Sequence, residues 1–305
     1  MSILVVGSVA LDTVETPFGK RERALGGSAT FFSFSASFFD KVNMVGVVGN
    51  DFPSEHVELL KSRSIDTRGL RVLDGKTFHW VGAYGYDMNT ATTHSTCLNV
   101  FENFTPEIPE EYRKSDCVFL ANIDPDLQIE VLKQIERPRL VACDTMNFWI
   151  DGKRDALVKL LGMVDVAILN EGEARQLTQQ PNLVRAGRMI REWGPKQVVI
   201  KKGEHGALLF GDGRIFVAPA YPMEEIVDPT GAGDTFAGGF MGHLSQAGNA
   251  DWSTMRQAVI YGSVMASFNV EDFSLDRMRT LTEEDIRDRY GEFVPLSHFE
   301  PVSSC

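Results

Sequence analysis

Short, nearly unbroken apolar runs alternate along the chain with longer segments of mixed character. Residues 3–9, 44–48, 117–121, 140–143, 164–169 and 198–200 are the clearest runs. Such continuity at strand length is the pattern of strands covered on both faces. Between them, residues 28–39, 54–63, 126–136, 155–161 and 171–178 read as helices. Strand-helix alternation predicts a mostly parallel sheet with helices packed on either side. The last third adds two long helical candidates, roughly 233–246 and 251–269. No internal repeat, low-complexity tract or long linker interrupts the pattern.

Residues 74–101 depart from it. Thr77 to Tyr86 is rich in aromatics, with glycines at strand spacing, and 91–100 continues with threonines and an apolar end. This predicts a β-hairpin or small sheet standing off the α/β body, which the polar stretch 11–25 could join. A sheet so placed would act as a lid over a site, as a dimer contact, or as both. An antiparallel extension of the main sheet is the alternative.

Composition changes the picture mainly by exclusion. The 305 residues are 43% hydrophobic and 24% charged, ordinary globular usage that leaves no room for a collagen-like or wholly disordered chain. The net charge of −12 argues against bulk nucleic-acid or anionic-membrane binding, while leaving a local positive site open to an anionic ligand. Cys97, Cys117, Cys143 and Cys305 have neither zinc spacing nor the density of a disulfide framework. Met1 to Gly7 reads as a first strand and not as a signal peptide, and no stretch reaches the roughly 18 apolar residues of a membrane span. The cytoplasm is the expected compartment. The polar tail 295–305 is expected to be loosely held.

The strongest local chemistry is Asp228-Pro229-Thr230-Gly231-Ala232-Gly233-Asp234-Thr235, running into an apolar helix. Without Cβ bulk the backbone can turn tightly and approach a ligand. A helix starting there aims free N–H groups and the positive end of its dipole at one point, an anion site. Asp234 on the first turn supplies a base beside that site, which is what phosphoryl transfer to a hydroxyl requires. A tight turn with a capping aspartate would explain the glycines alone.

The string 228–234 resembles the D-T-x-G-A-G-D motif of the PfkB (ribokinase-like) family of carbohydrate and nucleoside kinases. Leu25-Gly26-Gly27-Ser28-Ala29 resembles that family's N-terminal di-glycine motif, and Val47-Val48-Gly49-Asn50-Asp51 its G-x-D segment. Asn170-Glu171-Gly172-Glu173 resembles the N-x-x-E motif, and Lys201-Lys202-Gly203-Glu204-His205-Gly206 the nucleotide-site turn. Order and spacing agree from residue 3 to about 275. The resemblance implies a three-layer α/β/α sandwich with a mostly parallel central sheet. It implies one kinase domain over 1–305, carrying a β lid from about 11–25 and 74–101.

It also implies roles. Asp234 would be the general base, and the N–H groups of Gly231, Ala232 and Gly233 would hold the migrating phosphoryl. Asn170 and Glu173 would organise Mg-ATP, with Glu173 reaching Mg²⁺ through water, in keeping with that ion's retained hydration. A capped helix start would place the same two residues there. Lys202, Gly203 and Gly206 would flank the nucleotide, or simply close a hairpin turn. Asp12, Gly26 and Gly27 would meet the substrate; a turn aspartate is the plainer role for Asp12. The family often binds a monovalent cation beside its anion hole, and Asp228 and Thr230 take the matching positions for K⁺.

Two departures bear on the acceptor. Phe31 stands where ribokinase-type sugar kinases carry Asn, so it either offers an aromatic face to the substrate or packs in the core with its neighbouring phenylalanines. Asp144-Thr145-Met146-Asn147-Phe148-Trp149 alters the family's D-x-N-x-R segment and lacks its arginine, which argues against a phosphosugar. Walker, G-x-G-x-x-G and G-x-S-x-G signatures are absent, and the six histidines form no metal-spaced pair. The expected activity is transfer of the γ-phosphoryl of Mg-ATP to a sugar or polyol hydroxyl. A nucleoside kinase and a non-catalytic sugar or nucleotide sensor are the alternatives. The expected partner is a small molecule, with neither nucleic acid nor membrane, and a lid-to-lid homodimer follows from the lid's open edge.

Overall fold

The computed structural model describes residues 1–300; residues 301–305, with Cys305, lie outside the described residues. The chain enters through β1 (Ser2–Val6), turns through β2 (Ala10–Thr16) and β3 (Gly19–Gly26), and passes by α1 (Ser28–Ala36) into β4 (Lys41–Gly49). Helix α2 (Ser54–Ser62) leads to β5 (Ile65–Leu73), followed by β6 (Phe78–Tyr84) and β7 (Ala91–Cys97). Next come β8 (Cys117–Leu120), α3 (Pro125–Leu132), β9 (Leu140–Cys143), α4 (Asn147–Gly152), α5 (Arg154–Leu161) and β10 (Val166–Asn170). Helices α6 (Glu171–Thr178) and α7 (Leu183–Glu192) precede β11 (Gln197–Lys201), β12 (Ala207–Gly211) and β13 (Arg214–Ala218). Four helices finish the described chain: α8 (Ala232–Ala247), α9 (Trp252–Asn269), α10 (Asp276–Thr280) and α11 (Glu283–Ser297).

Nine strands form one sheet in the order β13-β12-β11-β10-β9-β8-β1-β4-β5. It is parallel from β5 to β11 and antiparallel at the β11-β12-β13 edge. Alternation along the strands divides the core in two. Ile3, Val5, Phe119, Ile168 and Val199 face α1, α8 and α9, whereas Leu4, Val6, Leu120, Leu169 and Ile200 face α3, α5, α6 and α7. Apolar residues on both faces are why these strands read as unbroken runs.

Strands β3-β2-β6-β7 form a second, separate sheet. The segments 11–25 and 74–101 therefore meet in one small sheet, and neither extends the main one. Its joint with the body is tied by Asp51, whose Oδ1 accepts from the Thr77 N–H at 2.7 Å and the Thr77 hydroxyl at 2.8 Å. Arg23 of β3 donates to the other oxygen of the same carboxylate at 2.8 Å. The G-x-D segment thus fastens the small sheet.

Every residue of α1 is buried, the phenylalanines together with the small hydroxyl residues Ser28, Thr30, Ser33 and Ser35. It lies against α8 so closely that a Cβ on Gly238 would stand 2.4 Å from the Phe32 carbonyl oxygen. Ser35 donates to the Thr235 carbonyl at 2.8 Å across the same seam. Sequence patterning did not single out α7, α10 or α11. In α7 the signal was available, since Ala186, Gly187 and Ile190 share its buried face and Asn182 caps it. The C-terminal stretch expected to be loose from 295 is helical to Ser297, with Pro295 inside the last turns of α11. Among the described residues no helix is long and apolar enough to cross a membrane.

Gly238→Ala tests the α1–α8 seam. Alanine gains about 1 kcal/mol of helix propensity over glycine, but its Cβ meets fixed backbone, and overpacking costs about 1–3 kcal/mol or more. Net destabilisation is expected in chemical denaturation; a stabilised variant would contradict the close approach.

Candidate active site

The chemistry-bearing residues gather at the carboxyl ends of the parallel strands, where open α/β sheets hold their ligands. Three parts converge: the turn that opens α8, the Gly26-Gly27 corner with Asp12, and the ends of β9, β10 and β11.

The turn is fixed before any ligand arrives. Asp228, 1% exposed, accepts from the Thr230 N–H at 2.9 Å and from the Ser274 N–H at 3.2 Å. Asn269, the last residue of α9, donates to the Thr230 carbonyl at 2.9 Å and accepts from the Thr235 hydroxyl at 3.0 Å. Gly231 takes φ +75°, a left-handed position that favours glycine, and a Cβ there would lie 2.3 Å from the Phe31 ring. Ala232 donates to the Pro229 carbonyl at 3.2 Å and so closes the turn. Among the described residues the N–H groups of Gly231 and Gly233 find no acceptor. Helix α8 has no side-chain cap, so its first turn keeps the unsatisfied donors of an anion site.

Phe31 is 2% exposed, with its ring directly under Gly231. The structure places it in the packing beneath the turn; the face expected for a substrate is covered. Its bulk helps set the height of the anion turn.

On the acceptor side, Asp12 stands against the di-glycine corner: a Cβ on Gly26 would fall 1.9 Å from its Oδ2. Ser8 and Ser28 lock that corner to the end of β1 by exchanging backbone-to-hydroxyl bonds of 3.2 and 3.0 Å. Burial pushes the Asp12 carboxyl up to about 7, against a backbone bond from Gly27, and the charges of Asp228 and Asp234 push it further the same way. Asp12 and Asp234 therefore face one cleft from opposite motifs.

On the nucleotide side, Asn170 caps α6 by accepting from the Glu173 N–H at 2.8 Å, and Glu173 Oε2 accepts from the Asn170 N–H at 2.7 Å. The N-x-x-E segment is a capping box, as the plainer reading held, and this fixes a 5%-exposed carboxylate in the cleft. Beside it Lys201 Nζ lies 3.5 Å from Asp144 Oδ2, both side chains largely buried. Burial works to lower the Lys201 pKa, but Asp144, Glu173 and Asp234 together hold it above its ordinary value. Burial pushes Asp234 up, Asp144 adds to the rise, and Lys201 opposes it.

Lys202, expected at the nucleotide, instead folds onto its own turn, with Nζ 3.3 Å from the His205 carbonyl. Adjacent strand residues point to opposite faces, so Lys201 is the lysine that enters the site. Gly203 and Gly206 flank a single 3₁₀ turn between β11 and β12. The small sheet reaches this turn: Asn89 Nδ2 donates to Glu204 Oε1 at 3.3 Å, and a Cβ on Gly203 would meet Asn89 Oδ1 at 2.7 Å. Tyr84 of β6 comes down beside Thr230, with Asp12, Asp228 and Asp234 around it, and burial there pushes its hydroxyl pKa up to about 12. Sequence reasoning missed Lys201, Asn269, Tyr84 and Asn89. Only Lys201 carried a readable signal, a cation at the end of an otherwise apolar strand.

An anion-ready helix start with a buried carboxylate on its first turn, at the carboxyl edge of a doubly wound sheet, defines a small-molecule kinase of the ribokinase-like fold. Residues 3–280 match the pfkB family carbohydrate kinase, and the chain belongs to that family. It is a phosphotransferase with a hydroxyl acceptor. The cytidine kinase of Thermococcus kodakarensis is 34% identical over 251 residues, covering 81% of this chain and 89% of that protein. The nucleoside kinase of Burkholderia thailandensis in complex with inosine superposes with a TM-score of 0.76 at 17% identity, over 95% and 96% of the two chains. An Escherichia coli ribokinase II structure with ATP and Mg²⁺ gives 0.76 at 19% identity, over 97% and 99%.

The raised pKa of Asp12 has a stability consequence. A carboxyl whose folded-state pKa exceeds its unfolded value near 4 favours the native state when protonated. That contribution is full below about 4 and is lost as pH rises through about 7. In ligand-free protein, Asp12→Asn should therefore raise Tm little at pH 4.5 and progressively more up to pH 8. A pH-independent difference would contradict the burial of this carboxylate.

Proposed function

We propose that the chain transfers the γ-phosphoryl of Mg-ATP to a hydroxyl of a nucleoside. The observation that carries this reading is the 34% identity to a cytidine kinase over most of both chains. Sequence reasoning had put a free sugar or polyol first and the nucleoside second. The similarity reverses that order. A non-catalytic sensor accounts less well for a buried carboxylate kept beside an open anion turn.

In this reading Asp12 accepts hydrogen bonds from hydroxyls of the sugar moiety and presents one of them to Asp234. Asp234 takes its proton as the hydroxyl oxygen attacks phosphorus. The N–H groups of Gly231 and Gly233 receive the phosphoryl oxygens, and Ala232 holds the turn through Pro229. Donors fixed in place cost no reorganisation as charge develops, which is the basis of oxyanion-hole catalysis. The small sheet acts as the lid, with Tyr84 and Asn89 covering the two halves of the cleft. Excluding water prevents hydrolysis of ATP in place of transfer.

The donor set suits a nucleotide-borne Mg²⁺. Among the described residues no three His, Cys, Asp or Glu side chains stand together as a metal cage. Glu173 offers one carboxylate oxygen beyond its bond to Asn170, so it would meet the ion through water while phosphate oxygens supply direct ligands. Bound there, Mg²⁺ supplies charge neutralisation for the triphosphate. On the K⁺ question, the buried Thr230 hydroxyl lies beside Asp228 and Tyr84, an oxygen-rich position of the kind a monovalent cation would take.

Two outcomes test the reading. Coupled ADP release with Mg-ATP should be fastest with ribonucleosides in a panel that includes free sugars and polyols, run with and without K⁺. A free sugar preferred over every nucleoside would overturn the acceptor class. Asp234→Asn should fold normally and lose on the order of 10²–10⁴ in kcat, the usual worth of a general base. Near-normal kcat would remove Asp234 from that role.

A further inference from the structure

The proposed mechanism leaves one buried charge without a task. Lys201 ends β11, where it pairs in register with Asn170 of β10 and Ala207 of β12. Its side chain is 16% exposed, and its nearest anion, Asp144, is itself 7% exposed. The 3.5 Å separation is long for a hydrogen bond, whose usual N···O distance is about 2.9 Å. The three ammonium donors are thus poorly engaged, an expensive arrangement for a buried cation unless something completes it. The same nitrogen lies 2.8 Å from where a Cβ of Gly233 would stand. It therefore sits beside Gly233, one of the two glycines of the anion turn whose N–H groups are free.

We propose that Lys201 is a catalytic residue whose ammonium donates to the terminal phosphoryl group of the nucleoside triphosphate as that group passes over Gly233. This rests on the kinase reading and deepens it. Phosphoryl transfer moves negative charge but leaves its sum unchanged. A fixed cation beside Gly233 stays in contact with the phosphoryl oxygens while the bond to the leaving ADP oxygen breaks and the bond to the acceptor oxygen forms. The proton goes to Asp234, and Lys201 keeps its own. Gly233 is then required for space, since any Cβ would displace the ammonium.

A purely structural lysine, kept only to balance Asp144 and Glu173, would behave differently, and nucleotide binding separates the two. Calorimetric titration with ADP and with AMP-PNP, both with Mg²⁺, should show Lys201→Met weakening AMP-PNP about 10- to 100-fold, the range for a lost charge-assisted hydrogen bond. Affinity for ADP, which lacks the terminal group, should stay within about threefold of the parent. Lys201→Arg should recover part of the loss. If Lys201→Met does not fold, the charge-balanced pair Lys201→Met with Asp144→Asn carries the same comparison. Equal weakening of both nucleotides, or of neither, overturns the proposal. Activity is read separately. A parent inactive on nucleosides whose AMP-PNP selectivity still depends on Lys201 would sink the proposed acceptor and leave this assignment standing. An active parent with an unselective Lys201→Met would do the reverse.

Discussion

A single ammonium group, buried where three strands end, makes the acidic cleft tenable. Burial raises the pKa of Asp144, Glu173 and Asp234, the Asp144 charge raises the other two further, and Lys201 is the common cation that opposes all three shifts. Without it, burial and the Asp144 charge would push Asp234 further toward its protonated form, which cannot take up a proton. The charge comes from the end of a central strand, so backbone register fixes where its side chain starts and burial confines where it reaches. Both Asp234 and the turn that opens α8 are arranged around that point.

The turn itself is held from three sides. Asp228 and Asn269 take up its polar groups, Phe31 sets its height, and α1 packs on α8 at backbone contact. Ser274 adds a further tie, donating from its hydroxyl to the Leu25 carbonyl at 2.5 Å. The di-glycine corner and the anion turn, some two hundred residues apart, therefore belong to one rigid unit. Pre-organisation of this kind places a hydroxyl and a phosphoryl group on a common line without rearrangement of the framework.

The sheet was legible because burial on both faces writes continuous apolar runs, and the anion turn because glycines and a carboxylate at fixed spacing have few other uses. The strand ends were harder. Lys201 and Lys202 are chemically identical neighbours, and only the phase at the end of β11 decides which lies beside Asp144 and which folds back on its own turn. Phe31 was left between a substrate contact and the core because the phenylalanines of α1 do not mark which side faces a ligand. Asn269 and Asn89 act through partners remote in sequence, and a single chain carries no mark of such pairings. Helix α7 was overlooked although its cap and its 3.6-residue periodicity were both present. The acceptor class was the least legible feature, since it depends on the few side chains that line the cleft.

The contact between Asn89 and the Gly203–Glu204 turn has a kinetic meaning. The small sheet is fastened at one end, through Thr77 and Arg23 to Asp51, and its far lip rests on the nucleotide side. The small sheet thus meets the body at two separate points. A lid attached in this way would part first at the Asn89 lip, where a single amide-to-carboxylate contact of 3.3 Å faces three shorter bonds at the Asp51 end.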